Sequence, residues 1–76
     1  MSVIVYSTPS CPYCKKVKNY LEEQGVDYED IDVSDNPEKQ QEMVEKSDQM
    51  GVPVVDVDGE IIVGFEPDKI EQALEE

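Results

Sequence analysis

The sequence predicts an α/β domain with its elements in the order βαβαββα. Three observations carry that prediction. Short β-branched or aromatic runs alternate with stretches of helical periodicity. Pro12, Pro37 and Pro67 each stand where a helix would take its first residue. Asp58-Gly59 separates two apolar runs by the two residues of a tight hairpin turn.

Val3-Ile4-Val5-Tyr6 reads as a central strand covered on both faces. Ser7-Thr8-Pro9-Ser10 is turn chemistry, and either Ser10 or Cys11 caps the helix that follows. In that helix Val17, Tyr20 and Leu21 form an inward stripe, and Gly25 ends it as a left-handed cap. Tyr28 to Val33 reads as a second strand with Ile31 and Val33 facing inward. A helix between two strands makes a βαβ unit, so these strands should be parallel. Ser34-Asp35-Asn36-Pro37 opens a second helix, Glu38 to Ser47, whose main apolar contacts are Met43 and Val44. So charged a helix should be the least securely packed. Val52 to Val57 reads as a third strand with Pro53 near its start, and Glu60 to Val63 as the return strand. Gly64-Phe65 breaks that strand. From Pro67 a last helix turns Ile70, Ala73 and Leu74 inward.

A chain of 76 residues has room for one domain, residues 1–76. The formal net charge is −13, from 19 acidic residues and 6 lysines. Little positive surface is left to displace the counterions of nucleic acid or to meet anionic lipid. Such a charge gives solubility and steers the chain toward basic partners. The apolar runs are too short to span a bilayer and no basic leader precedes them. A cytoplasmic, reducing setting and a monomer are expected.

The chemistry centres on Ser10-Cys11-Pro12-Tyr13-Cys14-Lys15-Lys16, which holds both cysteines of the chain. A Cys-x-x-Cys between a strand and a helix is a redox signature. A bridge across so short a loop removes little unfolded-chain entropy, so chemistry explains the pair better than stapling does. Cys11 lies at the helix start, where free N–H groups and the helix dipole stabilise an anion. Lys15 and Lys16 add positive charge within about a turn, and Lys15 is read as tuning the thiol. Cys14 lies one turn inside. Cys11 is therefore the attacking thiol and Cys14 the resolving one. Structural zinc needs four ligands, and the chain has no histidine and no second Cys pair. The metal readings left are a carboxylate-completed site or pairs shared across a dimer. Tyr6 reads as a core or rim aromatic, and Tyr13 as an outward-facing contact for a partner.

With the Cys pair after the first strand and Gly51-Val52-Pro53-Val54-Val55 before the hairpin, the chain resembles a glutaredoxin along essentially its whole length. Cys11-Pro12-Tyr13-Cys14 matches the dithiol active site of that family letter for letter. The resemblance implies a thioredoxin-like fold: a four-stranded mixed sheet of order 2-1-3-4 with three helices. It implies a cis Val52-Pro53 bond and a Val52 backbone that pairs with substrate as an added strand. Pro12, Tyr13, Val52, Pro53, Gly64 and Phe65 are then the substrate-binding positions. The implied activity is dithiol–disulfide exchange on protein or glutathione mixed disulfides, in electron transport and cell redox homeostasis. It needs no cofactor beyond the redox-active Cys11–Cys14 disulfide. Glutathione or a thioredoxin-reductase-like flavoenzyme would supply electrons. The alternative function is a metal or iron–sulfur protein that uses Cys11 as ligand. Two departures bear on the reductant. Thr8 stands where many glutathione-using members carry a basic residue, and Phe65 where many have a second glycine. Gly64-Phe65-Glu66-Pro67-Asp68 is instead similar to the redoxin branch that serves ribonucleotide reductase, and to small bacterial glutaredoxin-like proteins.

Overall fold

The computed structural model of the chain describes residues 2–75. Strand β1 (Val3–Ser7) leads to helix α1 (Pro12–Glu23), strand β2 (Glu29–Asp32) and helix α2 (Pro37–Ser47). Strands β3 (Val54–Val57) and β4 (Glu60–Val63) and helix α3 (Pro67–Glu75) complete the order βαβαββα. The sheet runs β2-β1-β3-β4. β1 is parallel to β2, and the two other pairs are antiparallel. The parallel pair is joined through α1 and the β3–β4 pair by two residues, as the two geometries require. Asp58 (φ 54) and Gly59 (φ 98) both lie in the left-handed region, which is what a type I′ hairpin turn demands.

Strand alternation divides the core into two layers. Val3 and Val5 of β1 pack with Val17 and Leu21 of α1 and with Ile70 and Ala73 of α3. Tyr6, Val33 and Val54 pack with Met43 of α2 on the other face, with Ile4, Ile31 and Ile61 around them. Helices α1 and α3 therefore cover one face of the sheet and α2 the other. Val5, Tyr6, Val17, Leu21, Met43 and Ile70 are fully buried.

Two strand boundaries differ from the sequence reading. β3 begins at Val54 rather than Val52, because Pro53 has no N–H to give a ladder. Its carbonyl still accepts from Gly64 N at 2.8 Å. β2 is shorter than Tyr28 to Val33: Tyr28 packs against the α1–α3 layer, while Val33 N donates to Ser7 O at 2.9 Å just past the strand.

Helix α2 buries only Met43 completely, in keeping with its charged sequence. Polar contacts add to the apolar attachment that Met43 makes to the sheet. Lys46 Nζ donates to Asp56 Oδ2 at 2.8 Å and to the Tyr6 hydroxyl at 2.9 Å. Tyr6 in turn donates to Glu42 Oε2 at 2.6 Å. Asp56 is buried in β3, and its other oxygen accepts from Gly59 N at 2.8 Å, tying the hairpin turn to the same cluster. Tyr6 is thus a core residue whose hydroxyl serves α2.

Candidate active site

The site is built on the start of α1. Cys11 is its N-cap, with extended backbone (φ −96, ψ 111), and Pro12 opens the first turn. The Cys11 side chain does the work that Ser, Thr or Asp does at other helix starts: Sγ accepts from Cys14 N at 3.1 Å. Ser10 is not the cap. Cys11 N is satisfied by Thr8 O at 3.3 Å, which closes the turn leading into the helix. The cap bond points an N–H at Cys11 sulfur, and such a bond strengthens when the sulfur is charged.

The two thiols are unbridged and unequal. Cys11 is partly exposed and Cys14 is fully buried. Burial pushes the Cys14 thiol up to about 12, and its contact with Cys11 adds to the rise. A hydrogen bond from the Thr8 backbone and the charge of Lys18 oppose it without overcoming it. The thiol that solvent and substrate can reach is therefore the one held at the helix terminus, and the protonated thiol lies behind it.

The three lysines of α1 differ in their surroundings. Lys15 is exposed and makes no ion pair or side-chain hydrogen bond among the described residues. Lys16 Nζ stands 5.1 Å over the Tyr13 ring, and Tyr13 itself faces outward at 56 % exposure. Lys18, four residues after Cys14 and so on the same helix face, places a positive charge near the buried thiol. Its ammonium is held 3.0 Å from Asp30 Oδ2, and buried Ser7 donates to Asp30 Oδ1 at 2.7 Å. Burial raises the Asp30 carboxyl, but Ser7 and Lys18 outweigh that and leave it below the ordinary range. Sequence reasoning missed Lys18 and Asp30. The i, i+4 spacing from Cys14 was the available signal; the partner on β2 had none.

The other expected site residues fall into two groups. The Val52-Pro53 peptide is cis, and Pro53 O is bonded to Gly64 N, so two segments distant in sequence meet. No hydrogen bond among the described residues engages the N–H or C=O of Val52. Gly64 has φ 83, a conformation that suits glycine. Phe65 does not stand free beside them. Its ring packs edge-on against Tyr20 at 6.4 Å and joins the α1–α3 core layer. Among the described residues no three Cys, Asp or Glu side chains converge to hold a metal ion, and no helix is long and apolar enough to cross a membrane.

Comparison with known proteins agrees with this geometry. The family model described as Glutaredoxin matches residues 3–62. A glutaredoxin-like 8.6 kDa protein of the rubredoxin operon in Clostridium pasteurianum is 46% identical over 71 residues, covering 93% of this chain and 95% of its own. Glutaredoxin 3 of Escherichia coli K12 is 32% identical over 63 residues, covering 83% of this chain and 76% of its own. Among solved structures, the glutaredoxin-like NrdH-redoxin of Escherichia coli superposes with a TM-score of 0.86 at 29% identity. That match covers 95% of this chain and 93% of the redoxin, whose structure is described as the basis of a thioredoxin-like activity profile.

Proposed function

The chain belongs to the glutaredoxin family of thiol–disulfide oxidoreductases, and on that premise we propose that Cys11 and Cys14 reduce disulfides in protein substrates with electrons from a flavoenzyme. The observation that carries the reading is the asymmetry of the pair: an accessible sulfur that caps α1, with a buried protonated thiol behind it.

The exchange runs in two displacements. The Cys11 thiolate attacks one sulfur of the substrate disulfide, the substrate S–S bond breaks, and the first substrate thiolate leaves and takes up a proton. Cys11 is then joined to the other substrate sulfur. Cys14 loses its proton and attacks Cys11 Sγ; the mixed disulfide breaks and the second substrate thiol leaves. Two electrons and two protons pass to the substrate, and a Cys11–Cys14 disulfide remains. The Cys14 N–H aimed at Cys11 stabilises the negative charge of the thiolate that begins the attack. Among the described residues the N–H and C=O of Val52 have no partner, which suits an extended peptide added as a strand. On this reading Pro12, Tyr13, Pro53, Gly64 and Phe65 border the contact, with the Phe65 ring resting on Tyr20.

Two observations favour a flavoenzyme of the thioredoxin-reductase kind over glutathione as electron source. Thr8 offers no charge to a glutathione carboxylate. The NrdH-redoxin, similar along nearly the whole chain, has a thioredoxin-like activity profile. A missing charge-assisted hydrogen bond is worth about 1.5–3 kcal/mol, or roughly a ten- to hundredfold loss of recognition. The test is to recharge the oxidised protein with thioredoxin reductase and NADPH, and separately with glutathione and its reductase. Faster turnover with the flavoenzyme is expected, and Thr8→Lys should raise the glutathione-dependent rate. Equal rates with the two reductants would overturn the assignment.

A further inference from the structure

The loop that leads into Val52 is held by one side chain. Gln49 folds its carboxamide over Gly51, two residues on. Gly51 N donates to Gln49 Oε1 at 2.6 Å, and Gln49 Nε2 donates to Gly51 O at 2.9 Å. Both backbone polar groups of Gly51 are thereby occupied within the loop. The same Nε2 donates to Ser47 Oγ at 3.1 Å, and Ser47 Oγ donates to Met43 O at 2.7 Å in the last turn of α2. The clasp is thus anchored to the one α2 residue that is fully buried in the core. Asp48, with φ 59, turns the chain out of α2 and lets the amide fold back.

Gly51 is part of the device. A Cβ there would come within 2.7 Å of Gln49 Oε1, so a side chain at 51 and the clasp cannot coexist undisturbed. The atom in the way is the end of a flexible side chain. Substitution would therefore displace the amide before it moved the backbone.

We propose that Gln49 is a positioning residue for peptide substrates: by satisfying both backbone groups of Gly51 it fixes the loop so that the free N–H and C=O of Val52 are presented to a substrate backbone. The inference rests on the reading of Val52 as the strand-pairing residue. The clasp has no role in the sulfur chemistry, which takes place at the start of α1. It lowers the ordering that an incoming peptide must impose, and preorganisation of this kind acts on binding. The substrate class it selects is a disulfide flanked by extended peptide. A small disulfide without a backbone gains nothing from it.

Single-turnover oxidation of the pre-reduced protein tests this with two probes: a disulfide-linked peptide with at least three residues on each side of its cysteine, and 2-hydroxyethyl disulfide. For the peptide, Gln49→Ala should raise the half-saturating concentration roughly three- to tenfold, the range set by one or two neutral hydrogen bonds, with the maximal rate unchanged. The rate with 2-hydroxyethyl disulfide should not move. Gly51→Ala should reproduce the effect by displacing the amide, and the double variant should be no worse than either single one. Equal losses on both probes, or no change on the peptide, would overturn the role of Gln49. Additive effects of the two substitutions would overturn the clasp as their common cause. A wild-type protein with no preference for the peptide would overturn the Val52 reading itself, and the inference with it.

Discussion

Lys46→Met removes the cation that joins α2 to the sheet while keeping most of the side chain's apolar bulk. Asp56 then loses its 2.8 Å partner, yet its side chain is only 9% exposed and cannot turn to water. It keeps one bond, from Gly59 N. Tyr6 loses the 2.9 Å bond from Lys46 and the ammonium 5.3 Å above its ring, but still donates to Glu42. Leaving a fully buried charge without its partner costs about 3–5 kcal/mol. The Lys46 side chain is 32% exposed, so water enters the vacated position, and about 2–3 kcal/mol is the better expectation here. Unfolding entropy scales with length, and for 76 residues each kcal/mol moves Tm by about 6 °C. The variant should therefore melt about 12–18 °C lower by circular dichroism or calorimetry. Lys69→Met is the control: its pair with Glu66 is exposed at 67% and 47%, and its loss should shift Tm by no more than about 3 °C. Adding Asp56→Asn to Lys46→Met should recover part of the loss, because the buried charge is gone while an oxygen remains for Gly59. The pH dependence has a definite sign. The hydrogen bond to Asp56, and then that to Tyr6, raise the Lys46 ammonium above its ordinary value in the folded state. The stabilisation is full below the unfolded value of about 10.4 and is lost as pH rises beyond it. A Tm for Lys46→Met no lower than that of Lys69→Met would refute the reasoning and return the anchoring of α2 to Met43 and Val44.

Three further outcomes follow from the site. Cys11→Ser should abolish disulfide reduction, whereas Cys14→Ser should trap substrate on Cys11 as a mixed disulfide visible by mass spectrometry; the reverse pattern would exchange the two roles. With a thionitrobenzoate mixed disulfide preformed on Cys11, chromophore release should keep quickening from about pH 6 to 9, since burial, the largest cause of the raised Cys14 thiol, does not depend on a free Cys11. A plateau below pH 9 would contradict the elevated thiol. Asp30→Asn should lower stability by an amount that is constant above about pH 5 and vanishes in acid. The folded carboxyl lies below its unfolded value of about 3.9, so its contribution is lost as pH falls through the folded value. A gap between wild type and variant that widened in acid would show that Ser7 and Lys18 do not hold the charged form.

The sequence by itself determined whatever depends on near neighbours along the chain. The order of elements, the inward stripes Val17–Leu21 and Ile70–Ala73, the prolines at the three helix starts and the Asp58-Gly59 turn all follow from periodicity and from φ preferences. The same holds for the placing of Cys11 at a helix terminus with Cys14 one turn inside. The family followed from the Cys11–Cys14 motif taken together with Val52-Pro53. The tertiary structure alone decided which polar groups meet. Lys46 joins Tyr6 across 40 positions and Asp56 across 10, and Lys18 joins Asp30 across 12. No periodic pattern marks such pairs, because a charged residue reads as solvated until the fold sets an opposite charge on a facing element. For Phe65 the break after β4 is legible in the sequence, but whether its ring turns outward or onto Tyr20 depends on where α1 lies. The Gln49 clasp spans only two residues, yet it too was hidden. An amide that folds onto its own backbone does so only where the chain already turns back, and here that turn follows the left-handed Asp48 at the end of α2.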